Sequence, residues 1–334
     1  MGKRWGSVIL LFLSLVFLKV ETLRAAPYYE GKVIQFIVGN SPGGGYDRIA
    51  RLIAKHLPKH IPGNPRIIVQ NMPGAASIIS ANYIYTIAKP DGLTIGVPGR
   101  GIPLAQLLKV EGVKYDVMKF SWIGSMAVES TVLTVRADLP YYTFADLKRV
   151  KNPLAIAGTG LGESSTQFGI LLKEFAGLNI KFVFYPSGSE AMLALERKEV
   201  DGRVSSYSGI KPYIERGLVR PLIRGRAAEK GNEHLPVDED LTTDRKGKIF
   251  MAIRSAVELV GRPYIAPPGV PPSVMKILRE GFAKVTKDPE MIREAKKGML
   301  DLEYTPAEEC LKILGELFRQ PSDIVRELGN YVKF

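Results

Sequence analysis

Residues 32–57 read KVIQFIVGNSPGGGYDRIARLIAKHL and contain a strand, a glycine loop and a helix in that order. The apolar, β-branched run 32–38 is typical of a buried strand, and the apolar residues of 46–57 repeat with the helical period. The three glycines let the backbone bend tightly and bring N–H groups to a bound group, and the start of the following helix favours an anion. Taken alone, this loop fits a structural turn as well as a site, because it matches neither the P-loop nor the dinucleotide fingerprint.

The same alternation of strand and helix continues along the chain. Further strands are predicted at 66–70, 93–97, 154–157, 181–184, 203–205 and 219–223, and further helices at 77–88, 164–175, 190–198 and 210–216. Such alternation predicts doubly wound, mainly parallel sheets, whose ligand sites lie at the carboxyl ends of the strands. From Pro271 onward the chain reads as helix after helix, with Thr305 expected as the N-cap of one of them.

The first 25 residues have the features of an export signal. A basic start, MGKR, precedes the apolar run 8–18, and the small residues Ala25 and Ala26 follow. The apolar run has about half of the ~20 residues that cross a bilayer, so a permanent anchor is the weaker interpretation. We expect a signal peptide over residues 1–25, cleavage near Ala25 or Ala26, and an exported protein.

Composition limits the class of protein further. The chain of 334 residues is long enough for two domains with a substantial core. Its single cysteine, Cys310, excludes an internal disulfide and lies at a core-like helical phase, which predicts a buried, inert thiol. The formal net charge is +12, but the basic residues are dispersed and no nucleic-acid motif is present. The excess is compatible with an anionic ligand, and we expect no nucleic-acid partner.

Three more loops place small residues and hydroxyls directly before helices. They are QNMPGAAS at 70–77, GTGLGESS at 158–165 and YPSGS at 185–189, and the strand that ends at 205–206 adds two serines. Each loop alone is more typical of a satisfied helix cap than of a ligand contact. Several such loops in two successive α/β units favour a ligand site, because two clusters of helix starts that face each other make a small anion site.

Catalytic constellations are absent from the sequence. There is no Gly-x-Ser-x-Gly elbow, no zinc-ligand spacing and no obvious carboxylate pair, so no metal and no cofactor is predicted. His56 and His60 flank Pro58 at a helix end, which disfavours metal geometry, and we expect both to be exposed to solvent. These absences weaken an enzymatic interpretation without excluding it.

Seven segments occur along the chain, and the ordered set is a more specific signal of a protein family than any single segment. They are IVGNSPGGGYDRIAR (37–51), VQNMPGAA (69–76), KPDGLT (89–94), GTGLGES (158–164), YPSG (185–188), LVRPL (218–222) and PPGVP (267–271). Together they resemble the extracytoplasmic receptors of tripartite tricarboxylate transporters, the Bug family of bacterial binding proteins. The likeness covers essentially the whole chain after the expected signal peptide.

This resemblance implies an α/β, two-lobed periplasmic binding protein fold of type II, with each lobe a doubly wound, mainly parallel sheet and the ligand cleft between the lobes. Lobe one is expected over 27–125 and 246–334, and lobe two over 126–245. The implied protein is a periplasmic, monomeric, non-enzymatic receptor. It would capture a small organic anion, a mono- or dicarboxylate, and deliver it to the membrane permease subunits of a tripartite tricarboxylate transporter.

The resemblance also implies which residues contact the ligand, since such receptors grip one carboxylate largely with backbone N–H groups and waters. The implied contacts are Ser41, Gly43, Gly44, Gly45, Tyr46, Ala75 and Ala76 in lobe one, and Thr159, Gly160, Ser164, Ser165, Tyr185, Ser187, Ser205 and Ser206 in lobe two. Arg100 departs from the family pattern, and it either pairs with a distal acid group of the ligand or faces solvent. Two other classes stay open: an exported enzyme on the same scaffold, and a surface adhesion or scaffold protein.

Overall fold

The computed structural model describes residues 26–300 and 302–334. The expected signal peptide lies outside these residues. The described chain forms two sheets: one contains the strands before residue 126 and after residue 262, and the other contains the strands between them. No helix of the described ranges is long and apolar enough to cross a membrane.

Lobe one is built on a six-stranded sheet. Its strands are β1 (Val33–Val38), β2 (Arg66–Asn71), β3 (Thr94–Val97), β4 (Ser121–Ser125), β10 (Pro263–Ala266) and β11 (Thr305–Pro306), in the order β11-β4-β10-β3-β1-β2. Its helices are α1 (Gly45–His56), α2 (Ile78–Thr86), α3 (Ile102–Leu107), α9 (Pro272–Val285), α10 (Pro289–Lys297), α11 (Ala307–Leu317) and α12 (Ser322–Leu328). Because successive side chains of a strand point to opposite faces, Phe36 packs in one core with Ile53 of α1, while Ile37 belongs to the core on the other face.

Lobe two is built on a five-stranded sheet. Its strands are β5 (Thr131–Arg136), β6 (Leu154–Gly158), β7 (Ile180–Phe184), β8 (Gly202–Ser206) and β9 (Val219–Arg224), in the order β7-β6-β8-β5-β9. The helices α4 (Phe144–Lys148), α5 (Ser164–Ala176), α6 (Gly188–Glu196) and α7 (Tyr207–Glu215) connect them. All the strands predicted from the sequence are present, whereas β4, β5, β10 and β11 were not predicted.

Both sheets are mixed, parallel in one part and antiparallel in the other. In lobe one β1 runs parallel to β2 and β3, and in lobe two β6 runs parallel to β7 and β8. The strand β10 is antiparallel to β3 and β4, and β5 is antiparallel to β8 and β9. These are the first strands after the chain crosses from the opposite lobe, at 126–130 and 261–262. The predicted two-lobed α/β fold is therefore present, with fewer parallel pairings than expected.

One long helix, α8 (Arg245–Val260), lies between the lobes and packs against both α5 and α11. Its Phe250 ring lies 5.6 Å from the Phe175 ring of lobe two and 5.7 Å from the Tyr331 ring near the C-terminal end. The two lobes therefore share one apolar core through this helix. Because α8 contacts both lobes, the boundary at 245/246 stays a prediction.

Local details both confirm and correct the sequence interpretation. Cys310 is fully buried, as predicted, and burial raises its pKa to about 12. The predicted N-cap at Thr305 is wrong, because Thr305 pairs with β4 as part of β11 and α11 begins after Pro306 without a side-chain cap. The predicted exposure of His56 is also wrong. Its side chain is buried against α10, 3.4 Å from the Glu294 carboxylate.

Candidate functional site

A cavity of about 770 Å³ separates the two sheets. Lobe one contributes the loops after β1, β2 and β3, and lobe two contributes the loops after β6, β7 and β8. The carboxyl ends of parallel strands therefore face each other across the cavity, which is where ligands bind in open α/β sheets. The two walls approach each other closely at one point, since a Cβ built on Gly162 of lobe two would lie only 2.9 Å from the Cβ of Ala76.

The loop after β1 presents the N-terminus of α1 to the cavity. Gly44 is the N-cap and supplies no side-chain cap, so the first N–H groups of α1 are left for a ligand or water. Asp47 is 3% exposed and fixes the loop, because its carboxylate accepts the Gly43 N–H at 2.9 Å and bonds from Arg51 and Asn71, also at 2.9 Å. Gly43 is the loop residue with a positive φ, +81°, and its N–H is already used within the loop.

The loop after β2 has strained backbone. Gly74, Ala75, Ala76 and Ser77 have φ values of 130°, 44°, 49° and 74° in succession, a conformation that non-glycine residues rarely adopt. The Ser77 hydroxyl donates to the Gly39 carbonyl at 2.8 Å and ties this loop to the end of β1. Such strain persists where the surroundings enforce it, and the strained residues Ala75 and Ala76 line the cavity.

Lobe two presents three more helix starts to the same cavity. The helix α5 begins at Ser164 after Glu163, which gives no side-chain cap, and the Ser164 hydroxyl is buried without a partner. The hydroxyl of Ser187 caps α6 by accepting the Glu190 N–H at 3.2 Å, so the cap interpretation is correct for this residue. The helix α7 follows Ser206, again without a side-chain cap. Four helix N-termini therefore face one cavity, and their dipoles favour an anion there.

Behind the β1 loop lies a buried network of charges at the two chain crossings. Arg262 and Glu129 are fully buried, with Nη2 of Arg262 2.7 Å from the Glu129 carboxylate. Arg262 also donates to the Gly45 carbonyl at 2.9 Å and to the Ser208 hydroxyl of α7 at 2.8 Å. This pair therefore joins the cavity-lining loop of lobe one to both crossings and to lobe two.

Arg100 belongs to this network. It is 6% exposed, and its guanidinium donates to the Glu129 carbonyl at 3.0 Å and to Thr131 Oγ1 at 2.8 Å. The expectation that Arg100 faces solvent is wrong. Although Arg100 borders the cavity, both terminal nitrogens of its guanidinium donate hydrogen bonds to the protein.

The structure brings most of the predicted site residues together. Those that line the cavity are Ser41, Gly43, Gly44, Gly45, Tyr46, Ala75, Ala76, Arg100, Thr159, Ser164, Ser165, Ser187, Ser205 and Ser206. Gly160 and Tyr185 do not line it. Lining places a residue at the cavity, and contact with a ligand stays a prediction for each of them.

Apart from Arg100, sequence reasoning missed the charged residues of the lining. Arg203 lies on β8 at the cavity, Glu163 precedes α5, and Arg48, Arg216 and Lys297 lie around them. Burial raises the pKa of Glu163 and lowers the pKa of Arg203 to about 10. One signal was available: Arg203 is two residues before Ser205, and strand alternation puts both on the same face.

A possible metal group lies away from the cavity. His56, Asp288 and Glu290 bring ligand atoms within 4.8 Å of one another. However, the Lys59 ammonium is 2.8 Å from Asp288 and 2.7 Å from Glu290, and Asp288 also caps α10. These contacts assign the group to the packing of α1 against α10.

The fold and the cleft define a two-lobed α/β binding protein with an anion-favouring site between its lobes. The chain belongs to the tripartite tricarboxylate transporter family of receptors, whose sequence model matches residues 49–330. One curated relative is a UPF0065 protein of Bordetella pertussis, 24% identical over 321 residues, which are 95% of each chain.

Solved structures agree with this assignment at the level of the fold. The periplasmic binding protein BugD superimposes with a TM-score of 0.72 at 20% identity, over 90% of this chain and 99% of that chain. Rpa4515 of R. palustris, solved with adipate, gives a TM-score of 0.71 at 21% identity, over 91% and 99%.

Proposed function

We propose that this protein is an extracytoplasmic solute-binding receptor that captures a small organic carboxylate in the cleft between its lobes. The observation that carries the proposal is the convergence of the N-termini of α1, α5, α6 and α7 on one cavity. Unpaired N–H groups at helix starts bind carboxylates well, because the groups point at the anion and the helix dipole favours negative charge.

The charges of the lining support the same ligand class. Five cationic side chains line the cavity, against the single carboxyl of Glu163 among the described lining residues. The adipate bound by the structural neighbour Rpa4515 is a carboxylate as well. An anion of this class would enter a cleft whose field favours it.

The remaining parts of the proposal follow from the family. A receptor of this family would work in the periplasm after removal of residues 1–25, as a monomer, and would deliver its ligand to the permease subunits of a tripartite tricarboxylate transporter. We propose a non-enzymatic role, because the described lining contains no histidine and no cysteine, and Glu163 has no second carboxyl beside it in that lining.

A thermal-shift screen tests the proposal. The purified protein would be heated with aliphatic and aromatic mono- and dicarboxylates, and with amines and neutral sugars as controls. A ligand at 100 times its Kd should add about 2.7 kcal/mol to the free energy of unfolding. Stabilisation by at least one carboxylate is expected. A response to amines or sugars alone would contradict the anion assignment.

The same samples show whether the protein acts as a receptor or as an enzyme. After the stabilising carboxylate has been incubated with the protein, proton NMR should recover it unchanged. Loss of the carboxylate with formation of a product, abolished by Glu163→Gln, would favour the enzyme on this scaffold.

A further inference from the structure

Glu163 brings a carboxyl group into a cleft that otherwise favours anions. It lies directly before α5 and is the one acidic residue among the described residues of the cavity lining. A side-chain oxygen at this position often accepts one of the first N–H groups of the helix, but Glu163 gives α5 no such cap. Within the described residues its carboxyl has no hydrogen bond and no ion pair. The cavity lining therefore contains a carboxyl that the protein leaves without a partner.

The neighbours of Glu163 in the chain lie where the lobes approach each other. A Cβ built on Gly162 would lie 2.9 Å from the Cβ of Ala76 in lobe one and 3.1 Å from the Cα of Phe334. Ser164, the next residue, is 4% exposed, and its hydroxyl has no hydrogen-bond partner. Buried hydroxyls are normally paired, so an acceptor is expected at the start of α5. A bound carboxylate would supply this acceptor and would lie beside the Glu163 carboxyl.

The charged groups around Glu163 do not neutralise it. Arg100, in the loop after β3, lowers the pKa of Glu163, but burial outweighs this effect and raises that pKa. Arg100 also lies 3.5 Å from the Glu129 carboxylate. Burial lowers the pKa of Arg203 on β8, and no carboxyl raises it again. The other charged residues of the lining, of α5 and of the chain beside α5 are Arg48, Arg216, Lys297, Lys173, Glu174 and Lys333.

A carboxylate ligand and an ionised Glu163 are incompatible in such a place. Two carboxylates that share a site shielded from water raise the pKa of one of them, because their like charges repel. A protonated carboxyl instead donates its O–H to the anion, and a hydrogen bond to a charged acceptor is among the stronger ones in proteins. Binding of the anion therefore favours the protonated form of Glu163.

We propose that this receptor binds a proton together with its carboxylate ligand, and that Glu163 holds the proton and donates it in a hydrogen bond to the bound anion. This inference rests on the proposed function. The proton comes from the solvent when the ligand enters and returns to the solvent when the ligand leaves, so no covalent bond of the ligand changes. The affinity should be highest at low pH, where the free receptor already holds the proton, and should fall as the pH rises.

Proton uptake can be measured directly. Protein and ligand, with adipate, succinate, acetate and benzoate as probes, would be brought separately to pH 6, 7, 8 or 9 in unbuffered salt and then mixed. The acid that restores the starting pH counts the protons taken up. Wild-type protein should take up at least about half a proton per bound ligand at one of these values. Its affinity should fall at least about tenfold from pH 6 to 9, and by no more than about tenfold per pH unit, since one proton is linked to binding.

Three variants locate the proton. Glu163→Gln keeps a neutral N–H donor but does not titrate, so it should take up almost no proton, and its affinity should change less than about threefold from pH 6 to 9. Glu174→Gln removes an exposed carboxylate of the same helix and should behave like the wild type. Glu229→Gln removes another carboxyl whose pKa is raised by burial, at the chain crossing, and should also keep the uptake. Melting curves without ligand would verify that each variant is folded.

The outcomes distinguish the proton coupling from the receptor function. Carboxylates that bind the wild type without proton uptake and with constant affinity would overturn the coupling and leave the receptor function intact. Unchanged uptake in Glu163→Gln, or uptake lost only in Glu229→Gln, would place the proton on another group and overturn the role of Glu163. If none of the four carboxylates binds, the proposed function fails and the proton coupling fails with it.

Discussion

The two walls of the cleft are built in different ways. On the lobe one side, the loop after β1 is held from behind by paired charges, with Asp47 bonded to Gly43 and Arg262 bonded to both Gly45 and Glu129. On the lobe two side, Arg203 and Ser164 present polar atoms that the protein leaves unpartnered. The first wall is held by ion pairs and hydrogen bonds, whereas two polar atoms of the second wall have no partner in the described protein.

Because the two walls are built differently, we expect them to recognise different parts of a ligand. A wall of backbone N–H groups recognises any carboxylate, because it contacts only the carboxylate group and no other part of the ligand. A wall of side-chain donors recognises what the rest of the ligand carries, and its residues change without affecting the loop geometry. Variants of the buried residues that support the lobe one wall should therefore lower the stability, whereas variants of residues that face the cavity should lower the ligand affinity.

The largest effect is expected from breaking the support of the lobe one wall. Arg262→Met leaves the fully buried Glu129 without its 2.7 Å partner and should lower the free energy of unfolding by about 3–5 kcal/mol. Urea unfolding without ligand measures this. Arg216→Met is the control, because its pair with Glu196 lies at the surface and is worth up to about 1 kcal/mol. Equal losses in both variants would show that the buried network does not stabilise the fold.

A second variant tests the surface of the same wall rather than its support. Gly44 has a φ of −75°, which any residue adopts, and a Cβ built there meets only the Ser41 carbonyl, at 3.7 Å. Gly44→Val should therefore stay folded but place its methyl groups where the carboxylate would bind, lowering the affinity about a hundredfold through lost hydrogen bonds to a charged group. Melting temperature and Kd would be measured together.

The neighbouring glycine provides the matched control. Gly43 has a φ of +81°, so Gly43→Ala should lower the stability by roughly 1–2 kcal/mol, the cost of a left-handed conformation for a side chain. Full affinity in a folded Gly44→Val protein would place the carboxylate elsewhere and leave this loop as a structural turn.

The parts of the fold and of the candidate site that could be predicted are those formed by residues close together in the sequence. The β1 loop and the start of α1 were predicted, because strand, glycines and helix are consecutive in the chain. The strands β5 and β10 were missed, since their partners are distant in sequence: β8 and β9 follow β5 by many residues, and β3 and β4 are separated from β10 by the whole of lobe two. Arg100 and Arg203 show the same limit for side chains: Arg100 lies 3.5 Å from the Glu129 carboxylate, whereas Arg203 has no ion pair within the described residues, and only the tertiary structure distinguishes them.

The pH dependence of stability tests whether Glu229 is shielded from water beside the chain crossing at 126–130. Burial, followed by the nearby Glu129, raises the pKa of Glu229 to about 8, and its carboxyl accepts the Ser130 N–H at 2.7 Å. The folded protein then holds this proton while the unfolded chain releases it above about pH 4.3, so the stability should fall as pH rises from about 5 to 8. The slope should stay below about 1.4 kcal/mol per pH unit, because the side chain is only partly buried.

Glu229→Gln should flatten this slope. The comparison needs urea unfolding of both proteins at pH 5, 6, 7 and 8. Asp238, whose pKa burial raises to about 7, remains in the variant, so part of the slope should persist. An unchanged slope would mean that Glu229 ionises normally and that the crossing is open to water.

The smallest effect is expected from a single hydroxyl of the lobe two wall. Thr159 lines the cavity, and its hydroxyl has no hydrogen bond within the described protein. Thr159→Ala should lower the carboxylate affinity by about 0.5–1.5 kcal/mol, roughly two- to tenfold, the net value of one neutral hydrogen bond. Thr159→Ser keeps the hydroxyl and should restore the affinity, which calorimetry with the best carboxylate would measure. A loss in the serine variant as large as in the alanine variant would assign the effect to the missing methyl group, and this wall would then select by shape rather than by donors.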